Sequence, residues 1–493
     1  MKFRARPRRS LHLLLTVAMA SGVFGYGRGT IGQQFRLPDL ASSEDAVMSP
    51  AAQRRLGKAF IRSVRTELPV IDDPMLTDYL VRLGQRLGTA SGSSDTRYTF
   101  FLIDQPVINA FAGPGGYIGV YTGLVLATDS ESELAAVISH EMGHVQQHHI
   151  LRSIEDSQRL TIPATALLVA GALLGAQVNP QAGAAAVAGL GGVMAQHEIN
   201  FTREDEKEAD SVGIATLAAA HFDPYAMAGF FERLSRLSRV SNTDAPAILQ
   251  DHPVTTNRIA DALGRAESYG PHRQHPDNLS YYLLQARLRE RSYTDPNGAV
   301  HYFRSTLSSQ RYRNETAERY GYALALERAG NVGEASKLAS RLLSQRPQQE
   351  ELIVLNAELE AKSGKRSEGI RRLEAAIQLR PDNLPLHIAY ARMLMDNGQA
   401  GKALRKLEGV ARTRPPTPFM DQLLYDAARM GRRKGATYLY RAEYLYAGGD
   451  LEPAIRELEF ALTQPGINFQ DQSRIQARLK TLKEEQRDLK KSN

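Results

Sequence analysis

Prolines and glycines in the second half of the chain recur at an interval of 34 residues, and this period restricts the fold more than any other feature of the sequence. The recurring positions are Pro347, Pro381 and Pro415, together with Gly330, Gly364 and Gly398. Charged, Leu-rich segments with helical spacing lie between them. A unit of this length cannot bury its apolar face alone, so successive units must stack on each other. The period therefore predicts paired helices that form an α-solenoid.

An interval of 34 residues is typical of tetratricopeptide repeats. Weaker copies flank the three clear units, at residues 281–307 and 438–462, and a polar helix over residues 470–490 is expected to cap the stack. A chain of 493 residues is also too long for one ordinary core. We therefore assign residues 273–493 to a tetratricopeptide-repeat domain and residues 28–272 to a separate domain.

The N-terminus has the pattern of an export signal. Five Lys and Arg residues fall within the first nine positions, an apolar run follows at residues 11–18, and residues 18–20 have the small-x-small pattern of a signal-peptidase site. The alternative is an uncleaved membrane anchor, but the run is shorter than the ~20 apolar residues that span a bilayer. We interpret residues 1–27 as a secretory signal peptide.

The formal charge of +7 is concentrated in that signal. Without its five basic side chains, 56 basic residues stand against 54 acidic ones, so the exported chain is nearly neutral and no nucleic-acid partner is expected. The chain has no cysteine, which excludes disulfides, a thiol nucleophile and thiolate metal ligands. Any metal must therefore be bound by His, Asp or Glu.

The first of the two domains is expected to combine helices with a few strands. Apolar residues recur at helical spacing between Glu44 and Leu87, which predicts two helices. Residues 98–103 and 117–121 have the composition of strands, and residues 113–116 between them form a Gly-rich turn. The whole chain is therefore predicted to be α+β and mainly α, with a small antiparallel sheet in the first domain and an α-solenoid after it.

The motif H-E-x-x-H runs from His140 to His144 on a predicted helix. Because residues four apart share one helix face, both imidazoles can bind a single zinc ion, and we expect one Zn²⁺ per chain. Glu141 projects beside them and is the candidate catalytic base that takes a proton from the attacking water and passes it to the leaving amine. His148 and His149 continue the helix but drift off this face, so we expect surface or supporting roles for them.

A zinc hydrolase needs a third protein ligand and an open position for water. The acid-rich segment 203–210 offers one, because Glu206 and Asp210 lie four residues apart on one helix face. Glu206 would then bind zinc while Asp210 accepts the outer N–H of a ligand histidine. The alternative is a solvated helix start whose acidic residues are favoured by the helix dipole, and spacing alone leaves both interpretations open.

Together these motifs resemble one family of metallopeptidases. Residues 140–144 followed by residues 206–210 are similar to the gluzincin family of HtpX and the CAAX prenyl endopeptidase, as are residues 109–116 and 122–124. The resemblance covers nearly all of the chain after the signal. An export signal and C-terminal repeats are typical of the periplasmic members. The resemblance therefore implies a zinc metalloendopeptidase of the periplasm with a helical gluzincin domain.

The same resemblance implies roles for single residues. It favours Glu206 over Glu204 and Glu208 as the third ligand, because the family's glutamate lies four residues before the aspartate. It implies that His252 can approach the zinc as a fourth ligand and hold the enzyme latent, although a histidine in such a segment is more often a plain loop residue. Arg258, in the same segment, is expected to stabilise the oxyanion.

Residues 117–121 are predicted to form an edge strand beside the zinc, where an extended substrate pairs through main-chain hydrogen bonds. The candidate substrate-binding residues are Tyr117, Ile118, Gly119, Val120 and Tyr121. Such pairing reads the backbone more than the side chains. It therefore suits unfolded or misassembled protein substrates.

Residues 162–195 are poor in charge and rich in Ala and Gly. Asn179 and Pro180 divide them into two apolar stretches, each shorter than the ~20 residues that span a bilayer. We expect a mobile apolar lid or helical hairpin near the active site. A membrane hairpin is the alternative.

The leading hypothesis is a regulated periplasmic endopeptidase, with chaperone-like activity, that degrades misfolded or stalled outer-membrane proteins and supports their assembly. Its repeats would dock on substrate or on the outer-membrane barrel-assembly machinery, with peripheral association with the outer membrane. One alternative is a repeat scaffold or chaperone with largely latent proteolysis. The other is an integral-membrane protease, which requires residues 162–195 to span the membrane.

Overall fold

The computed structural model describes six ranges of the chain, and most of their residues are helical. These ranges are 48–92, 96–155, 201–240, 246–271, 277–414 and 417–491. The predicted signal peptide at 1–27, the predicted lid at 162–195 and the predicted domain boundary at 272–273 lie outside the described residues. Within the six ranges, every helix is too short or too polar to cross a bilayer.

Two helices precede the sheet, as the apolar spacing predicted. α1 spans Pro50–Glu67 and α2 spans Pro74–Ala90. Each begins with a proline in its first turn, where the missing N–H costs no hydrogen bond. The side chains of Ser49 and Asp73 accept hydrogen bonds from backbone N–H groups that the first turns leave free. Sequence signals alone therefore account for where both helices begin.

The three strands form one mixed sheet, so the prediction of an antiparallel sheet was wrong for one of its two pairings. β1 is Thr99–Ile103, β2 is Ala110–Gly113 and β3 is Tyr117–Tyr121. The order is β1-β3-β2, with β3 parallel to β1 and antiparallel to β2. Gly115 and Gly116 have φ of 78° and 80°, the values that a tight turn between β2 and β3 requires. The hairpin thus joins the sheet with β3 next to β1.

The order also overturns the prediction that β3 is an edge strand for substrate. The five residues from Tyr117 to Tyr121 pair with β1 on one side, and four of them pair with β2 on the other. Both hydrogen-bonding edges of β3 are therefore occupied within the sheet. β1 and β2 are the outer strands of the sheet, and the outer side of β1 bonds to residues 69–71. Among the described residues, no strand pairs with the outer side of β2.

The helix that carries the motif lies between the sheet and several later helices. The helices of this part are α3 (Thr122–Ala127), α4 (Glu131–Gln146), α5 (His149–Glu155), α6 (Arg203–Ala219), α7 (Ala226–Val240), α8 (Ile248–Asp251) and α9 (Thr256–Glu267). α4 packs on β2, α6 and α7, and its apolar side chains join those of α2 and α7 in one hydrophobic core. This burial on several sides fixes α4 in the centre of the first part of the chain.

From residue 277 onward the chain forms the helical repeats that the 34-residue period predicted. The repeat helices are α10 (Leu279–Arg291), α11 (Pro296–Ser308), α12 (Glu315–Arg328), α13 (Val332–Gln345), α14 (Glu350–Lys362), α15 (Arg366–Leu379), α16 (Leu384–Asp396), α17 (Ala400–Ala411), α18 (Pro418–Met430), α19 (Lys434–Gly448), α20 (Leu451–Thr463) and α21 (Phe469–Lys491). Gly330, Gly364 and Gly398 have φ of 83°, 80° and 70°. Each follows the end of the first helix in a pair, where a left-handed residue ends the helix, and this explains the glycine period.

The repeats pack against the first part of the chain through α2. This helix contacts α10 and α16, and Nη2 of Arg287 on α10 lies 2.7 Å from Oδ2 of Asp73 at the start of α2. Burial tends to raise the pKa of Asp73, but the charge of Arg287 and the hydrogen bonds from Arg287, Leu76 and Met75 together lower that pKa. The ion pair therefore ties the first repeat helix to the helix that supports the sheet.

Candidate metal centre

Two glycines allow α4 and α6 to approach closely. Gly143 on α4 faces the backbone of Ala209 on α6, and a Cβ added to Gly143 would lie 2.9 Å from the Ala209 Cα. Gly213 on α6 faces the backbone of His140, and a Cβ there would lie 3.2 Å from the His140 nitrogen. Side chains at either position would push the helices apart. The short helix–helix distance places the histidine face of α4 against the first turns of α6.

Four candidate ligands meet at this contact. Donor atoms of His140, His144, Glu206 and His252 all lie within 4.8 Å of one another, and all four residues are buried. The Nε2 atoms of the two motif histidines are 3.0 Å apart, and Oε1 of Glu206 lies 3.5 Å from Nε2 of His144. Oε2 of Glu206 lies 3.6 Å from Nε2 of His140. The structure thus brings together residues that are distant in the sequence.

This donor set fits a zinc ion. Ligand atoms about 2.0–2.1 Å from tetrahedral zinc are roughly 3.3 Å apart, close to the separations between His140, His144 and Glu206. Imidazole nitrogens and a carboxylate are also ligands that zinc prefers. Of the three glutamates considered as third ligand, Glu206 is buried among the histidines, Glu204 is exposed, and Glu208 lies beside a different histidine.

Glu141 is fully buried beside the donor set. Neither of its carboxylate oxygens takes a hydrogen bond within the described ranges, and Oε1 lies 3.6 Å from Nε2 of His252. Burial raises the pKa of the Glu141 carboxyl above its ordinary value. A buried carboxylate without a hydrogen bond is costly, so its position next to the donor set indicates a functional group rather than a structural one.

Asp210 contacts the outer nitrogen of a ligand histidine, the arrangement expected for it. Its Oδ1 lies 2.9 Å from Nδ1 of His140. Arg258 donates two hydrogen bonds to the same carboxylate, from Nε at 2.9 Å and from Nη2 at 2.8 Å. Burial tends to raise the pKa of Asp210, but the hydrogen bonds and charges of His140 and Arg258 lower it. Asp210 is therefore held as an ionised acceptor for His140.

Arg258 does not have the place that sequence reasoning gave it at the oxyanion. Besides its bonds to Asp210, its Nη1 donates to the carbonyl of Pro253 at 2.9 Å and lies 2.5 Å from Oε2 of Glu206. The planar fork of arginine matches a carboxylate better than a single developing oxyanion. Arg258 thus holds the Glu206 and Asp210 side chains in place.

His252 is the fourth residue of the donor set and the one whose approach to the metal the resemblance implied. Its Nδ1 is 2.7 Å from Oε1 of Glu206 and 3.3 Å from Nε2 of His140. Burial disfavours a charge on His252, but the carboxylates of Glu206 and Glu141 outweigh it and raise the pKa of His252 to about 9. The side-chain amide of Asn109 donates a hydrogen bond to Asp251 at 2.8 Å and so fixes the segment that carries His252.

Two residues near the site were not singled out from the sequence as site residues. Phe201 stacks on the ring of His252, with centroids 5.3 Å apart, and its centroid lies 3.9 Å from that of His144. Its position directly before Thr202, the N-cap of α6, was the available signal. His149 is buried with its Nδ1 2.8 Å from Nδ1 of His144, whereas His148 is exposed.

An apolar cavity adjoins the donor set. Its walls include His140 and His252 together with the apolar side chains Met227, Phe230, Phe231 and Leu234. The last four belong to α7, which packs against α4. The cavity is apolar but too small to hold a substrate side chain unless its walls move.

Known proteins are similar to this chain in both parts. Residues 74–266 match peptidase family M48. The beta-barrel assembly-enhancing protease of Yersinia pestis is 35% identical over 368 residues, which cover 74% of this chain and 74% of that protein. The same-named protease of Escherichia coli (strain K12) is 35% identical over 343 residues, 70% of each chain. The mitochondrial metalloendopeptidase OMA1 of Schizosaccharomyces pombe is 29% identical over 189 residues, 37% of this chain and 51% of that protein.

Proposed function

We propose that this chain, which belongs to peptidase family M48 among the beta-barrel assembly-enhancing proteases, is a periplasmic zinc endopeptidase. Its proposed substrates are misfolded or stalled outer-membrane proteins. Membership confirms the gluzincin resemblance and makes the chain a metalloprotease that uses a divalent metal. The observation that carries the proposal is the convergence of His140, His144 and Glu206 beside the buried Glu141.

In the proposed site, Nε2 of His140, Nε2 of His144 and the carboxylate of Glu206 hold the metal. When bound, zinc supplies a Lewis acid that polarises a peptide carbonyl and makes water more acidic. The chain's own residues fix the donors: Asp210 contacts His140, and Arg258 bonds to Asp210 and forms an ion pair with Glu206.

Glu141 is the proposed general base and acid. Its unbonded oxygens are free to accept a proton from the water that attacks the peptide carbonyl and to pass that proton to the leaving amine. Burial raises the pKa of Glu141 above its ordinary value, which makes the carboxylate a stronger base toward the proton of the water.

The proposed substrate is an extended, unfolded segment of polypeptide. β2 (Ala110–Gly113) replaces β3 as the candidate strand for main-chain pairing, because it is an outer strand that packs on α4 and, among the described residues, has no strand on its outer side. Unfolded membrane-barrel strands expose both a free backbone and apolar side chains, in keeping with the substrate class that the relatives' name indicates.

The remaining assignments extend the proposal to the whole chain. Residues 1–27 would direct export to the periplasm, residues 28–272 would form the peptidase domain, and residues 273–493 would form the repeat domain. Stacked helical repeats present extended surfaces for protein partners. We propose the outer-membrane barrel-assembly machinery as that partner, with the protein close to the outer membrane.

Metal removal tests the proposed activity. Purified protein should cleave an unfolded casein-type substrate, lose this activity in excess chelator, and regain it when zinc is added back to the chelator-free protein, because His140, His144 and Glu206 act through the metal. The measurement is the initial rate of release of acid-soluble peptides. Cleavage that is insensitive to the chelator would contradict the proposal.

The position of His252 predicts a gain of activity when it is removed. Its Nδ1 lies 3.3 Å from Nε2 of His140 and 2.7 Å from Oε1 of Glu206, so as a fourth ligand His252 would occupy the position that a zinc hydrolase leaves open for water. A contact worth about 1.4 kcal/mol to the closed state would hold roughly nine chains in ten inactive, so His252→Ala should raise the initial rate on the order of tenfold. His301→Ala, at an exposed histidine of the repeats, is the control and should leave the rate unchanged.

A His252→Ala rate equal to or below that of the wild type would show that His252 does not restrain the enzyme. The double variant with Glu141→Gln should be inactive, which ties any gain of activity to this site. A large increase in the rate would also support a resting state in which the repeats bind protein substrates while proteolysis is inhibited.

A further inference from the structure

The helix that carries the motif stops shortly after its second histidine. α4 ends at Gln146, His148 has a φ of 56°, and α5 begins at His149. In an unbroken helix, residue 149 would point about 140° away from His144. The left-handed turn at His148 instead returns the ring of His149 to His144, with their Nδ1 atoms 2.8 Å apart.

His149 is also bonded on its far side. Its Nε2 lies 3.1 Å from Oε2 of Glu208 and 3.4 Å from Oδ1 of Asp205, both in the first turns of α6. The His149 side chain has no exposed surface, whereas those of Asp205 and Glu208 keep 21% and 32% of theirs. A row of contacts therefore leads from partly exposed carboxylates through a buried imidazole to a candidate metal ligand.

With a metal bound to Nε2 of His144, neutral rings have one arrangement of protons that satisfies every nitrogen in this row. His144 turns its Nε2 toward the other donors, so its Nδ1 carries the proton. That N–H donates to Nδ1 of His149, and the Nε2–H of a neutral His149 donates to Glu208. Rotation of either ring would break the row inside a buried site, where a lost hydrogen bond is costly.

We infer that His149 is a positioning residue for the metal: it fixes the tautomer and the orientation of His144 and so strengthens metal binding. The inference rests on the proposed function. His140 has a corresponding partner in Asp210, so both motif histidines are backed by carboxylates of α6. For His140 the contact is direct, and for His144 it passes through His149.

The test measures the dissociation constant for Zn²⁺ of the full-length protein by competition with a chromophoric chelator. His149→Phe keeps a ring but removes both nitrogens, and the dissociation constant should rise on the order of 10- to 100-fold. His149→Gln offers an amide oxygen as acceptor and should recover part of this loss. Glu208→Gln, which leaves the buried ring in place, should give a smaller rise. The visible absorption of the Co²⁺-loaded protein should shift in His149→Phe because the orientation of His144 changes.

His148→Asn is the matched control, since position 148 is exposed and asparagine tolerates a left-handed backbone. It should bind zinc as the wild type does. Wild-type zinc affinity and an unchanged cobalt spectrum in His149→Phe and His149→Gln would overturn the inference. So would a lower melting temperature of the metal-free variants with zinc affinity unchanged, because that result describes a purely structural role. A wild-type protein that binds no zinc would instead overturn the proposed function itself.

Discussion

Replacing Glu141 with Gln is expected to abolish peptide hydrolysis and leave the metal bound. The substitution keeps the size of the side chain and removes the group that accepts and returns the proton, a contribution of typically 10²–10⁴-fold to the rate. The donors of His140, His144 and Glu206 are untouched. The expected result is therefore a fall in the initial rate of at least about 10²-fold, with a zinc content equal to that of the wild type.

The matched control is Glu204→Gln, a carboxylate-to-amide change at an exposed position on α6. This variant should keep wild-type activity and zinc content. Equal rates for wild type and Glu141→Gln would show that proteolysis in the preparation does not come from this site. Loss of zinc together with activity would mean that Glu141 supports the metal instead of moving a proton.

Replacing Glu206 with Ala is expected to remove both metal and activity. If the three protein ligands share an apparent zinc binding free energy of about 12 kcal/mol, losing one costs roughly 4 kcal/mol, or about three orders of magnitude in the dissociation constant. The change also removes the carboxylate that contacts Nδ1 of His252 and Nη1 of Arg258. The measurement is zinc content after dialysis at nanomolar free zinc, alongside the rate on unfolded casein.

Glu204→Ala on the same helix is the control, because it shows whether an effect is specific to Glu206 or common to the acidic residues at the start of α6. Removing Glu204 should leave zinc content and activity unchanged, because its side chain points to solvent. Full zinc occupancy in Glu206→Ala would mean that residues 203–210 are a solvated helix start and supply no zinc ligand. In that case the metal would need another third ligand.

Features that depend on spacing within one helix could be predicted from the sequence. The 34-residue period specified the repeats because each unit must stack on the next, and His140 and His144 share a face because both belong to α4. Glu206 and Asp210 follow the same rule on α6. The contact between α4 and α6 could not be predicted from residue spacing. It depends on Gly143 and Gly213, whose missing side chains allow the two helices to approach.

Features that depend on a change of chain direction could not be predicted in this way. The turn at His148 breaks the helical period, so extrapolation along α4 gave His149 no more than a surface or supporting role and did not predict its contact with His144. The order of the sheet depends on which strand the β2–β3 hairpin places next to β1, and strand composition carries no information on that choice. Arg258 was assigned to the oxyanion from the resemblance, and its contacts with Asp210 and Glu206 on α6 could not be predicted because that helix is distant in the sequence.

The central claim is that one zinc ion is held by His140, His144 and Glu206. The most direct test is a crystal structure of the zinc-loaded wild-type protein with anomalous data on both sides of the zinc absorption edge. We predict one anomalous peak per chain, about 2.0–2.2 Å from Nε2 of each histidine and from a Glu206 carboxylate oxygen. A peak elsewhere, or a Glu206 side chain outside bonding distance of the metal, would contradict the claim.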